Sequence, residues 1–253
     1  MHKKILIPLP SYGFDPSEVA IPWKILTQNG MEPVFATPDG TAAQADSLML
    51  TGQGLGIWKP ILRARKDAVE AYREMGQTPA FARPIRYTDI GIDEFDALLL
   101  PGGHDKGVKE YLESAILQDV VQLFFKRQKP VAAICHGVVL AARSLDPETQ
   151  KSVLYGYNTT ALLQSQEMLA YRLTRRRLGD YYLTYPGLTV QNEVTTALAR
   201  PEQFLEGPYP VLRDSPNRLN RGFTVRDRHY LSARWPGDAY RFSLQLVGML
   251  NES

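Results

Sequence analysis

Short apolar runs recur along the first half of the chain, each closed by proline or glycine and followed by a stretch of helical periodicity. Lys4 to Pro10 carries Ile5-Leu6-Ile7 and reads as a first strand, Pro16 to Asn29 as a helix closed by Gly30, and Glu32 to Thr37 as a second strand. Asp96 to Gly103 is a third apolar run ending in a glycine turn. Val108 to Phe125 then places apolar residues at 108, 112, 116, 117, 120, 121, 124 and 125, a single helical stripe. Pro130 to Ile134 is a further strand, followed by a short helix. Apolar strands alternating with helices predict an α/β fold, a mostly parallel sheet covered on both faces.

Two regions break the rhythm. Residues 41–95 hold Gly and Pro punctuation and one helical stretch, roughly 61–75, which suggests a cap inserted into one domain spanning 1–253. In the second half, 152–157 reads as a strand, 164–178 as a helix, and 223–232 as a hairpin with His229 exposed at its tip. A last helix runs over about 238–250, and 180–220 has no clear pattern.

Composition narrows the function classes. The chain has 253 residues, 44% hydrophobic and 22% charged, with a formal net charge of +2, so no global field recruits nucleic acid or anionic lipid. Arg172, Arg175, Arg176 and Arg177 lie in a helical stretch and read as a solvated face. The apolar runs fall short of the ~20 residues of a membrane span. One cysteine cannot form an internal disulfide, which suits a reducing compartment. The expectation is a soluble, cytoplasmic protein acting on a small molecule, with no metal, cofactor, nucleic-acid or membrane partner.

That cysteine, Cys135, sits between the strand Val131-Ala132-Ala133-Ile134 and the apolar helix beginning at Gly137. A strand–turn–helix of this kind lifts a side chain out of the sheet. It also aims a thiol at unpaired N–H groups, which favour its thiolate. The alternative is a small buried hydrophobe. Ligands of open α/β sheets bind beyond the carboxyl ends of the strands. Two other such ends carry polar groups: Asp15-Pro16-Ser17-Glu18, and Pro101-Gly102-Gly103-His104. Glu18 also fits a capping box behind Asp15, and paired glycines are often only a turn.

Together, Ala132-Ala133-Ile134-Cys135-His136-Gly137, Leu99-Leu100-Pro101-Gly102-Gly103-His104 and Glu18-Val19-Ala20-Ile21-Pro22 resemble the ThiJ/PfpI superfamily. That group includes the parkinsonism-associated deglycase and shares the class I glutamine amidotransferase-like fold, a flavodoxin-like three-layer sandwich with a nucleophile elbow. His after the double glycine, and Pro four residues after Glu, resemble its stress-chaperone and glutathione-independent glyoxalase branch. The resemblance implies Cys135 as nucleophile and Glu18 as its protonated partner. Oxyanion N–H groups would come from Gly103 and His136, with Gly102 and His104 beside the pocket. Dimers are common in that superfamily, so a homodimer is a possible partner state.

The branch usually adds an orienting acid after the next strand, but Gly156-Tyr157-Asn158-Thr159-Thr160-Ala161 contains none. Glu167, read as part of a solvated helix face, and Asp180 are the nearby acids. Three functions follow: a cysteine enzyme acting on a small carbonyl or acyl compound, as glyoxalases and deglycases do; a holdase chaperone or redox sensor; and an amidase or peptidase.

Overall fold

In the computed structural model, which describes residues 2–252, the chain begins with β1 (Lys4–Pro8), a short β2 (Tyr12–Phe14), α1 (Pro16–Gln28) and β3 (Glu32–Thr37). There follow β4 (Gln44–Ala45), α2 (Ser47–Thr51), α3 (Lys59–Leu62), α4 (Lys66–Gly76), α5 (Pro79–Ala82) and β5 (Ile85–Arg86). The rhythm then resumes through β6 (Ala97–Leu100), α6 (Lys109–Leu112), α7 (Ala115–Lys126), β7 (Val131–Ile134) and α8 (Gly137–Arg143). After a long irregular stretch come α9 (Gln164–Leu178), α10 (Val190–Thr196), β8 (Thr224–Asp227), β9 (Tyr230–Ala233) and α11 (Ala239–Glu252).

The main sheet has the order β5-β3-β1-β6-β7-β9-β8 and is parallel except for the β8–β9 hairpin. Ile5 pairs with Pro33 on one side and Ala97 on the other, and Val131 pairs with Leu98 and Tyr230. Strands β1, β6 and β7 are fully buried along Ile5–Ile7, Ala97–Leu100 and Val131–Ile134, as central parallel strands must be. Helices α1, α4 and α11 pack together on one face, and α6, α7, α8 and α10 on the other. The predicted three-layer α/β architecture is therefore the observed one.

The sheet order dictates where a ligand site can form. From β1 the chain steps outward to β3 and β5, and from β6 it steps the other way to β7. The reversal falls between β1 and β6, so the loops after β1, β6 and β7 converge at one switch point. The first of those connections leads into the first turn of α1 with Glu18, and the other two carry Gly102 to His104 and Cys135.

Several local expectations differ from the structure. The 61–75 helix is interrupted: Arg63 and Arg65 are extended, and they separate α3 from α4. The 108–125 stripe is broken at Ser114, whose hydroxyl caps α7 by accepting from Leu117 N. Residues 152–157 form turns and a single bridge from Ser152 to Leu145; β9 takes the sheet position beside β7. Leu154 there is buried, so the apolar run packs as a turn instead of a strand. His229 is half-buried, because its ring meets Phe125 and Tyr157 edge-on at 5.4 and 5.6 Å.

Within residues 41–95, α4 lies against α1 and β5 extends the main sheet beside β3. Residues 47–62 do something else. Met49 and Leu55 join Tyr182 in a small separate apolar cluster, with Leu62, Tyr171, Leu178 and Tyr181 around it. This second cluster ties the early segment to α9 and the irregular stretch beyond it.

Glu167 is not on a solvated face. It is buried at 1% exposure and accepts a hydrogen bond from Val190 N at 3.0 Å. Burial lifts its pKa from an ordinary 4.5 to about 7. The folded state thus holds this proton more tightly than the unfolded chain. The stability it contributes is complete below pH 4.5 and is lost as pH rises through about 7. Between about pH 5 and about pH 8, urea melts of the wild type should lose on the order of 2 kcal/mol more than those of Glu167→Gln. Equal losses in the two proteins would remove this account of Glu167.

Candidate functional site

Cys135 follows β7 directly and adopts a left-handed backbone with φ of 57°. Its N–H still donates to Ala233 O at 3.1 Å, so the strand ladder holds the residue until the chain turns. A non-glycine residue in this region is strained, and the surrounding structure over-determines it. Two glycines make the turn possible. A Cβ on Gly137 would lie 2.1 Å from Leu100 O, and one on Gly102 would lie 2.6 Å from His136 N and 2.9 Å from Glu18 Oε2. Backbone and side chains pack here at distances that only glycine permits.

Glu18 reaches the same point from α1. Asp15 caps that helix, accepting from Ser17 N and Glu18 N at 2.7 and 3.3 Å. The expected reciprocal capping box is absent, because Asp15 N donates instead to Gly102 O at 2.8 Å. Gly102 N in turn donates to Glu18 Oε2 at 2.9 Å. Residue 102 is therefore clamped from both sides, and the Glu18 carboxyl crosses to the β6 loop. Pro22, inside α1, has no N–H to offer the Glu18 carbonyl four residues earlier.

Cys135, Glu18 and His136 are all buried, at 0, 0 and 1% exposure, and His104 is at 9%. Burial, followed by the nearby Asp15 charge, pushes the Glu18 carboxyl well above its usual range, so it holds a proton. Burial also raises the Cys135 thiol, opposed by the His136 N–H. The helix N-terminus alone predicts a thiolate; complete desolvation reverses that, and the resting group is a thiol. Both histidines are held neutral by burial, His104 with a pKa of about 4 and His136 well below its ordinary range.

The orienting partner of His136 is a residue that the sequence did not single out. His136 Nδ1 lies 3.5 Å from Cys135 Sγ, and its Nε2 lies 3.0 Å from Thr184 Oγ1. The Thr184 hydroxyl donates to His104 O at 3.0 Å. A carbonyl can only accept, so the single hydroxyl proton is committed there and Thr184 receives the His136 Nε2–H. That arrangement leaves Nδ1 as an acceptor facing the thiol. Thr184 lies in the 180–220 stretch without periodicity, where no local signal marks a site residue.

The structure thus brings Cys135, Glu18, His136, Gly102 and His104 into direct or bridged contact. Gly103 stands beside them, and a Cβ on it would lie 2.5 Å from Gly13 O. Asp180 is elsewhere, exposed and paired with Lys106 at 2.5 Å. In the stretch where the resembled branch carries its acid, Thr159 Oγ1 bonds with Tyr230 OH and Thr160 N donates to Ser232 Oγ. Above the site, Tyr182 packs edge-on against His104 with ring centroids 5.0 Å apart, and Tyr181 donates to Asp46. An open recess of about 390 Å³ lies on the surface between Lys59 and Lys66, away from the thiol.

A buried thiol on a strand-to-helix elbow at the switch point of a doubly wound sheet defines a class of α/β proteins. Residues 9–208 match the family described as ThiJ/PfpI family-like, and the chain belongs to that family. An uncharacterised protein of Schizosaccharomyces pombe is 29% identical over 182 residues, which are 68% of this chain and 67% of that protein. A deglycase of Thermococcus kodakarensis is 32% identical over 101 residues, 36% of this chain and 60% of its own length. The crystal structure of glyoxalase III from Candida albicans shares the fold, with a TM-score of 0.70 at 17% identity, covering 98% of this chain and 97% of that one. No helix among the described residues is long and apolar enough to cross a membrane.

Proposed function

We propose that this chain is a cysteine-dependent enzyme that converts a small dicarbonyl such as methylglyoxal to a hydroxy acid without glutathione. The observation that carries this reading is the buried, protonated Glu18 carboxyl facing the Cys135 thiol across Gly102. Kinship with a deglycase and a fold shared with a glyoxalase III support it.

The chemistry follows from the groups present. The Cys135 proton passes to His136 Nδ1 as the sulfur attacks the aldehyde carbon. The developing oxyanion lies within reach of the N–H groups of Gly103 and His136 and takes the Glu18 proton. The product is a hemithioacetal, and Glu18 is now a carboxylate. It removes the proton from that carbon and returns it to the neighbouring carbonyl carbon, while the adduct's hydroxyl proton passes to the neighbouring oxygen, which converts the adduct into a thioester of the hydroxy acid. Water then cleaves the thioester, the imidazolium proton returns to the sulfur, and the acid released leaves its proton on Glu18, so that the product is the hydroxy acid's anion. One water is consumed overall, and no oxidant is needed.

Complete burial of Cys135 means that substrate entry needs a movement of the chain around it, and the segment with Tyr182, packed on the less buried His104, is the one that supports this reading. Purified protein given methylglyoxal without glutathione should yield lactate with multiple turnovers per chain. Absence of lactate, or lactate at the buffer rate, would overturn the proposal.

A further inference from the structure

We propose that His104, Cys135 and His136 form a site for a borderline-soft divalent cation, Zn²⁺, with the cysteine sulfur and two imidazole nitrogens as ligands. One ligand atom from each of the three lies within 4.8 Å of the others. Cys135 Sγ and His136 Nδ1 are 3.5 Å apart, close to the separation of about 3.5 Å between N and S ligands on a tetrahedral zinc. The His104 ligand atom lies within 4.8 Å of the other two, so a small ring movement would bring it to the separation of ligands on one zinc.

Three further features fit a metal centre. The His104 Nδ1 atom is buried without a hydrogen-bond partner, a costly state that a metal or proton donor would relieve. His136 presents its lone pair at Nδ1 because Thr184 accepts from Nε2–H, the outer-shell arrangement that orients metal-bound histidines. The same threonine hydroxyl holds the His104 backbone, so one residue positions both ligands. His104, the least buried of the three, marks the side of entry. Two nitrogens and one sulfur leave a fourth position open, as in catalytic rather than structural zinc sites.

Binding exchanges a proton for the cation: the Cys135 S–H bond breaks, a sulfur–metal bond forms, and the proton passes to buffer. Because this sulfur is also the nucleophile proposed above, ion and carbonyl substrate would exclude one another. Only that consequence rests on the functional reading.

The test is Co²⁺ titration of the full chain, followed by displacement with Zn²⁺. One Co²⁺ per chain is expected, with a strong near-ultraviolet sulfur-to-cobalt band that Zn²⁺ abolishes. Cys135→Ala should lose the band, His104→Asn should weaken binding at least about tenfold, and Thr184→Val, with all ligands intact, about 10–100-fold. Circular dichroism establishes that each variant is folded, with His104→Gln as the substitute should His104→Asn not fold. Cobalt bound without the sulfur band, or a band indifferent to His104, would overturn the proposal. The readout does not depend on turnover, so failure here and failure of the glyoxalase reading are separable.

Discussion

Cys135→Ala should reduce lactate formation to the uncatalysed rate, and Glu18→Gln should lower kcat/KM about 10²–10⁴-fold, the usual worth of a positioned general acid–base. The two variants fail for different reasons. Alanine removes the atom that forms the covalent adduct. Glutamine keeps an oxygen to accept from Gly102 N, which Glu18 Oε2 does at 2.9 Å, so the turn stays folded. What it lacks is a proton to give and a carboxylate to take one back. Hemithioacetal formation should survive in Glu18→Gln, with the oxyanion taking its proton from the His136 imidazolium instead, while the carbon-to-carbon proton shift, which needs the carboxylate, does not. Carbon-13 NMR with labelled methylglyoxal tests this, since a protein-bound hemithioacetal carbon should be seen with Glu18→Gln and not with Cys135→Ala. The pH dependence follows from the same burial. Burial holds Glu18 well above the usual carboxylate range, so its acid form outlasts the pH at which an exposed carboxyl ionises, and no activity should be lost as pH rises past about 5. A Glu18→Gln protein retaining more than about a tenth of wild-type activity would sink the assignment.

Arg234→Met should cost about 3–5 kcal/mol of stability, among the largest losses available to one substitution here. Arg234 and Asp238 are an ion pair at 1 and 0% side-chain exposure, joined by Nε and Nη2 at 2.9 Å each. Arg234 Nη1 also donates to Pro208 O at 2.5 Å and Glu206 O at 3.3 Å, pinning the loop before β8 to the start of α11. Asp238 accepts in addition from Phe223 N at 2.9 Å. Burial raises the Asp238 carboxyl, and Arg234 is the main force drawing it back down. Methionine would fill much of the space but leave a desolvated carboxylate without its cation. The double variant Arg234→Met with Asp238→Leu should recover part of the loss, because no charge then stays buried. Urea denaturation with circular dichroism measures both. A loss below about 1 kcal/mol for the single variant would show the pair to be replaceable.

Much of the site was legible before any coordinates. Cys135 stood at the end of an apolar strand, and a cysteine in that position with Gly137 after it has few conformations open to it. Gly102 and Glu18 taken alone read as a turn and a helix cap, and only the resemblance of their motifs to the ThiJ/PfpI superfamily implied a place beside Cys135. Thr184 did not, since it belongs to a segment held by tertiary contacts instead of periodic structure. Glu167 reads as a surface residue because a helical wheel shows only the helix's own pattern. What buries it is α10, which contributes Val190 N from far along the chain. His229 was misplaced for the same reason: Phe125 and Tyr157 cover it from elsewhere in the fold.

By itself the sequence determined the alternation of strand and helix, the elbow beneath Cys135 and the convergence of three loops at one end of the sheet. These depend on short-range sterics and hydrophobic period, which neighbouring residues carry among themselves. The tertiary structure decided the environments and the partners: complete burial that favours a thiol over a thiolate at Cys135, and Thr184 behind His136 in the place that an acid holds in the resembled branch. Those outcomes depend on desolvation and on atoms brought together across the fold, and no stretch of the chain encodes either locally.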